Sequence, residues 1–273
     1  MSNTTIDVNS KKVSHRDMHT TATTPDRLAE FNRAHACIED IITDPDTGVC
    51  YVKCVAGDKT IDVRGKYLVD DRVTVDDITF TKNPDIARRW ILAGKNIGVY
   101  TGLDARDVIE DNVVILDIDL KDVAPDDDPE FLAPTDIIDN LVGRTLTIET
   151  RSGGLQCIFR NAIGATGSPR LRYVDPETGH LHDAGDTRIK HAYALFAGSY
   201  VSPDKITSKR DESNPNKPFK KPLPHADGLY RAIHTTPVID LTHDLLNELQ
   251  LAVGGRGKRA RIQRTTSVAK DGE

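Results

Sequence analysis

The sequence predicts an α/β or α+β domain, a mixed sheet flanked by helices and bounded by flexible ends. Three observations carry that expectation. The run Val113-Val114-Ile115-Leu116 is continuously apolar, the pattern of a strand covered on both faces. Helical patterns at residues 25–42 and 85–93 are interspersed with short strand-like runs. No stretch of about 18 apolar residues occurs, so no membrane-spanning helix is expected.

Taken in order, residues 1–24 are rich in Thr, Ser, Asn and Lys without an apolar period and read as a disordered leader. Pro25-Asp26-Arg27-Leu28 opens a helix through Ile42, stopped by Asp44-Pro45-Asp46-Thr47-Gly48. Strands are expected at 49–55 and 60–63, then a helix at 85–93 in which Ile86, Trp90 and Leu92 are apolar. Asn96-Ile97-Gly98-Val99-Tyr100-Thr101-Gly102 reads as a strand closed by a turn, and the apolar run 113–116 delivers Asp117-Ile118-Asp119. An acidic loop at 125–129 precedes a short helix at 135–142 with Thr135 as its N-cap. Strands at 145–150 and 155–159 flank Arg151-Ser152-Gly153-Gly154, and another at 192–196 follows a turn-rich segment at 175–179.

This divides the chain into a main domain at 25–203, with an N-terminal portion at 25–84 and a motif-bearing core at 85–203. Beyond it lie a linker or loop at 204–240, an apolar-rich helix at 241–253 ended by Gly254-Gly255, and a basic tail at 254–273.

A net charge of −6 over 273 residues excludes a general basic coat for nucleic acid, so any DNA contact must come from a local patch. The first residues, MSNTTIDVNSKK, lack the apolar stretch of a signal peptide. A cytoplasmic location and reduced thiols are therefore expected for Cys37, Cys50, Cys54 and Cys157. Cys50 and Cys54 sit in an alternating strand pattern, sharing one face with Tyr51 and Lys53 on the other. Although His35 and Cys37 lie nearby, the second close ligand pair of a structural zinc is missing; half-buried thiols are the expectation, not zinc.

Residues two apart on a strand face the same side, so Asp117 and Asp119 project together while Ile118 stays in the apolar layer. Two carboxylates at the end of a buried strand repel each other and lose solvation, and a hard cation with oxygen preference, Mg2+ or Mn2+, relieves both. A strand that ends in solvent would explain the same pair without a metal. Ser152-Gly153-Gly154 suits a tight turn whose amides approach phosphate oxygens, and equally an ordinary hairpin turn.

The order of these motifs resembles the prim-pol domain of the archaeo-eukaryotic primase superfamily, the bifunctional DNA primase-polymerases. There an Asn-Ile-Gly strand with a Thr-Gly turn precedes an apolar strand ending in Asp-x-Asp, matched here by residues 96–102 and 114–119. A Thr-x-Ser-Gly-Gly-x-His strand pair follows, matched by Thr150-Arg151-Ser152-Gly153-Gly154-Leu155-Gln156. Last comes an Asp-x-Arg segment, here Asp186-Thr187-Arg188, seven residues before the aromatic-apolar strand Tyr193-Ala194-Leu195-Phe196-Ala197-Gly198-Ser199. The match spans about residues 85–203.

The resemblance implies a metal-dependent primase or polymerase acting on a DNA template and primer with dNTP or rNTP. It implies that Asp117, Asp119 and Asp186 hold two Mg2+ or Mn2+ ions, Asp183 being a neighbouring alternative for the third acid. Arg151, Ser152, Gly153, Gly154, Gln156, Arg188 and Lys190 would face the nucleotide, with His191 near them. Gln156 departs from the family's His: a neutral amide donates a hydrogen bond but carries no charge. Arg256, Lys258, Arg259 and Arg261, with Arg264 beyond them, are the candidate DNA contacts. Such domains are often encoded by plasmids, viruses or other mobile replicons, so the resemblance implies a replication role there, and the helicase that usually accompanies them would be a separate partner. The rival readings are a non-catalytic DNA- or nucleotide-binding replication-initiation factor and a metal-dependent nuclease using the same acids.

Overall fold

The computed structural model describes residues 22–62, 79–101, 113–118, 139–141, 143–165, 169–189, 192–202 and 227–254. Helix α1 (Thr24–His35) opens on a capping box. The Thr23 hydroxyl accepts the Asp26 N–H at 3.4 Å, and the Asp26 carboxylate accepts the Thr23 N–H at 3.2 Å. The expected single helix to residue 42 is two. Tight bonds from Cys37 N–H to the Ala34 carbonyl and from Ile38 N–H to the His35 carbonyl close α1, and a second short helix, α2 (Glu39–Thr43), follows. Ile41 and Ile42 enter the same core as Phe31, Ala34 and Ile38.

The remaining elements are β1 (Cys50–Cys54), β2 (Phe80–Thr81), α3 (Pro84–Leu92), β3 (Asn96–Thr101), β4 (Val113–Ile118), β5 (Thr147–Glu149), β6 (Leu155–Arg160), β7 (Arg170–Val174), β8 (Leu181–Arg188), β9 (Ala192–Leu195), β10 (Arg231–His234), α4 (His243–Glu248) and β11 (Leu251–Val253). They form a four-stranded sheet of order β2-β1-β3-β9 and a seven-stranded sheet of order β10-β5-β6-β4-β8-β7-β11.

A mixed sheet was the expectation. The strand pairings described are all antiparallel, and the two sheets are separate. Short links such as the one between β5 and β6 close hairpins, whereas parallel neighbours need long crossovers. Among the described residues the one parallel contact is an isolated bridge between Arg160 and Asp240.

Alternation along β4 divides the interior. Val113 and Ile115 enter a cluster shared with α1, α3 and the small sheet, while Val114, Leu116 and Ile118 enter a second cluster shared with α4. Being covered on both sides is why this strand is apolar without interruption. The small sheet is clasped by buried polar groups. Arg27 donates to the Gly198 carbonyl at 2.7 Å and to Asn96 Oδ1 at 3.0 Å. Asn96 Nδ2 donates to the Tyr200 carbonyl at 2.8 Å, and Ser199 Oγ to the Ile97 carbonyl at 2.7 Å. Asn96 and Ser199, both motif residues, thus tie β3 to the segment following β9.

Three further expectations are corrected. The strand at 60–63 is only an isolated bridge from Ile61 to Cys54 within the described residues. The helix at 241–253 ends at Glu248; Gln250, at φ 54°, reverses the chain, and Leu251–Val253 pairs with β7 as β11. An apolar run of that length reads the same as helix or strand until a sheet edge offers it partners. The linker expected to reach residue 240 does not: Tyr230 and Ala232 are fully buried, and β10 pairs with β5. The strands β2, β7, β8, β10 and β11 were not foreseen. The leader at 1–21, the loop at 125–129, Thr135, residues 203–226 and the tail from 255 lie outside the described residues.

His35 gives this fold a pH dependence. It is buried against Phe31, with ring centroids 5.7 Å apart, and its Nδ1 lies 2.8 Å from the Tyr51 hydroxyl. Burial lowers its pKa, outweighing the upward pull of Glu39. A lowered imidazole favours the neutral ring in the folded state, so the unfolded chain takes up the proton first as pH falls. Stability is therefore full above the ordinary value of about 6.5 and is lost as pH falls toward the lowered one. We expect the Tm to fall between about pH 7 and pH 5, and His35→Gln, which can still hydrogen-bond Tyr51, to flatten that slope in thermal melts.

Candidate functional site

The antiparallel register assembles the site. Asp117 on β4 lies directly opposite Gln156 on β6 and Asp186 on β8; Asp186 in turn lies opposite Arg170 on β7, and Gln156 opposite Ile148 on β5. Residues directly opposed across strands share a face. Ile148, Gln156, Asp117, Asp186 and Arg170 therefore form one row over five strands, on the face that carries Ile115 and Ile158 toward the small sheet. Arg188 lies opposite Ile115, on the same face.

Exposure is graded along the row. Gln156 is 5% exposed, and the side chains of Asp117, Asp186 and Arg170 are 22%, 37% and 54% exposed. The row thus starts in the core and opens to solvent at β7. Arg188 Nη2 reaches both carboxylates, 3.4 Å from Asp117 Oδ2 and 3.7 Å from Asp186 Oδ2, while Arg170 Nη1 lies 2.8 Å from Asp186 Oδ1.

A bulge brings Asp186 into phase. Asp183 and Asp186 are three apart, so strict alternation would send them to opposite faces, yet they oppose Arg172 and Arg170, which are two apart. The register shift at Leu171/Arg172 absorbs the extra residue, with Gly185 at φ 136°. Asp183, the alternative third acid, accepts the Gly185 N–H at 3.3 Å and lies 3.8 Å from Arg172.

The Ser152-Gly153-Gly154 turn is the tip of the β5–β6 hairpin. The Thr150 N–H donates to the Gly154 carbonyl at 2.7 Å and the Gly153 N–H to the Thr150 carbonyl at 2.9 Å, with Gly153 at φ 87°. The Gly153 amide is thus engaged within the turn, which leaves the expected phosphate contact to its neighbours. Alternation along β6 sends Cys157 into the far cluster and Ile158 back to the side of Gln156.

Asp119, Lys190, His191, Arg256, Lys258, Arg259, Arg261 and Arg264 lie outside the described residues. Among the residues described, no group of three or more His, Cys, Asp or Glu is placed to hold a metal. The part of the expected cage within them is the Asp117–Asp186 pair. Its donor set fits a hard cation: carboxylate oxygens on neighbouring strands, same face, both open to solvent. Cys50 and Cys54 are fully buried in β1, deeper than the half-burial expected, and burial pushes both thiols up to about 12.

No family model matches this chain, and no curated protein matches its sequence. The prim-pol resemblance therefore stands on the motif residues themselves, of which Asp117, Gln156, Asp186 and Arg188 share one face.

Tyr230 was missed from sequence because it falls in the stretch read as a linker. Burial pushes its phenol pKa up; Arg151 is close enough to lower it and Asp117 to raise it. Its hydroxyl and Gln156 Oε1 are both buried without a hydrogen-bond partner among the described residues. Such orphans cost about 1–3 kcal/mol each and mark places where a ligand or water belongs. Tyr230→Phe is expected to raise stability in urea unfolding by up to about 1 kcal/mol. A lowered unfolding midpoint would show that the hydroxyl has a partner in the folded protein.

Proposed function

We propose that this protein is a metal-dependent nucleotidyltransferase that synthesises or extends primers on a DNA template, in the replication of a plasmid, virus or other mobile element. The observation that carries the reading is the register placing Gln156, Asp117 and Asp186 side by side on one face, although they are far apart in the chain. Asp117 and Asp186, with Asp119 as the third donor, would hold Mg2+ or Mn2+. Two bound metal ions would supply activation of the primer 3′-hydroxyl and stabilisation of the pyrophosphate leaving group. Arg188 and Arg151 face the triphosphate as charged donors, and Gln156 contributes a neutral one. With a net charge of −6, the template is held by local cations, for which Arg256, Lys258, Arg259 and Arg261 are the candidates.

The deciding experiment is extension of a labelled primer on a single-stranded template with Mg2+ or Mn2+ and either dNTP or rNTP. Metal-dependent product supports the reading; none with any combination refutes it. A second reading, a non-catalytic nucleotide- or DNA-binding initiation factor, is favoured by one observation: two arginines already neutralise the acid pair. It predicts nucleotide binding with no extension. A nuclease would degrade the template and gain no thermal stability from nucleotide.

A further inference from the structure

We infer that Arg188 and Arg170 are exchangeable counter-ions of the acid pair, so that a divalent cation and a polyphosphate group enter this site together and each enters poorly alone. The inference rests on the reading of Asp117 and Asp186 as metal ligands. Arg188 reaches both carboxylates, at 3.4 and 3.7 Å, from the side that faces the small sheet. Arg170, which lies outside every motif of the sequence, holds the outer oxygen of Asp186 at 2.8 Å from a strand near the sheet edge. Both guanidinium groups are partly exposed and carried on long side chains, so they can leave the carboxylates without disturbing the core. Independently, the Gln156 side chain in the same row is more than nine-tenths buried with an unpartnered oxygen, a sign that the row is completed by a ligand.

The coupling follows from charge. A cation arriving alone must take carboxylates from the arginines, leaving two guanidinium groups beside it with their partners gone. A polyphosphate arriving alone must approach two carboxylates. Arriving together, the cation takes the oxygens of Asp117 and Asp186 while the phosphates take Arg188 and Arg170. A guanidinium fork fits phosphate as well as carboxylate, so the exchange needs no new geometry from the protein. Each half of the pair masks the other.

The test uses the full-length, metal-stripped protein with two probes measured separately: Mn2+ alone, by the resonance signal of the free ion, and tripolyphosphate alone in chelator, by calorimetry. Arg170→Gln and Arg188→Gln should each tighten Mn2+ binding about two- to fivefold, the range that a partly exposed ion pair commands. Asp186→Asn should tighten metal-free tripolyphosphate binding by a similar factor. The exchange is overturned if the arginine variants bind Mn2+ no better than the parent and Asp186→Asn leaves tripolyphosphate affinity unchanged. Should Arg188→Gln melt early, the half-exposed Arg170→Gln decides. Mn2+ binding that survives Asp117→Asn combined with Asp186→Asn, or that no form of the protein shows, sinks the metal-ligand reading itself.

Discussion

Asp117→Asn is expected to leave the protein folded and to reduce primer extension at least about a hundredfold, the scale on which loss of one preorganised catalytic group is felt, here a ligand of the proposed metal site. The side chain is isosteric and 22% exposed, so no cavity and no buried orphan is created. It removes one of two like charges placed directly opposite each other, which favours the fold, and it loosens Arg188, which keeps Asp186 at 3.7 Å. These effects oppose, and the net change in stability stays within about 1 kcal/mol. Gel-resolved extension alongside thermal melts of the same preparations separates the two. Extension above about a tenth of the parent rate in a variant with unchanged melting would mean that Asp117 holds no catalytic metal.

Gly185→Ala is expected to destabilise the large sheet by roughly 3 kcal/mol or more and to disturb the site with it. At φ 136° the residue lies where side chains are rarely accepted, and a Cβ there would stand 2.1 Å from the Asp117 carbonyl oxygen and 3.2 Å from the Ile118 Cα. Both neighbours are backbone of the central strand and cannot swing aside. Relief requires β8 to move away from β4 at the rung that sets Asp186 opposite Asp117. Denaturant unfolding should show a large fall in midpoint, and metal binding should weaken even at temperatures where the variant stays folded. Gly179→Ala is the control: its φ is also positive at 69°, but an added Cβ meets nothing within 4 Å, so it should cost much less. Equal losses in the two variants would mean that the close approach at Gly185 is not what holds the register.

The central strand and the face of its first acid were legible because their signals are local. An uninterrupted apolar run can only be a segment covered on both sides, and period-two alternation from Leu116 fixes the face of Asp117. The same rule placed Gln156 and Cys157 on opposite faces of β6. The reading of β7, β8, β10 and β11 failed for a different reason. Arg170-Leu171-Arg172-Tyr173-Val174 alternates over only five residues beside turn signals, and Leu251–Val253 is three residues attached to an apolar helix. Such segments become strands because a neighbouring edge has unpaired backbone groups to offer, which is information carried by distant parts of the chain.

What the sequence alone determined is the identity of the polar groups and the face each takes on its own strand, because alternation and burial depend on near neighbours. Which groups meet was decided only by tertiary structure. The phase of Asp186 depends on a one-residue bulge at Gly185, and a one-residue slip anywhere in β8 would turn its carboxylate to the other face. Arg170, from a segment with no motif, reaches Asp186 only through the pairing of β7 with β8, and Tyr230 enters the core only through the pairing of β10 with β5. Register is a property of two strands at once, and no single strand's residues can specify it.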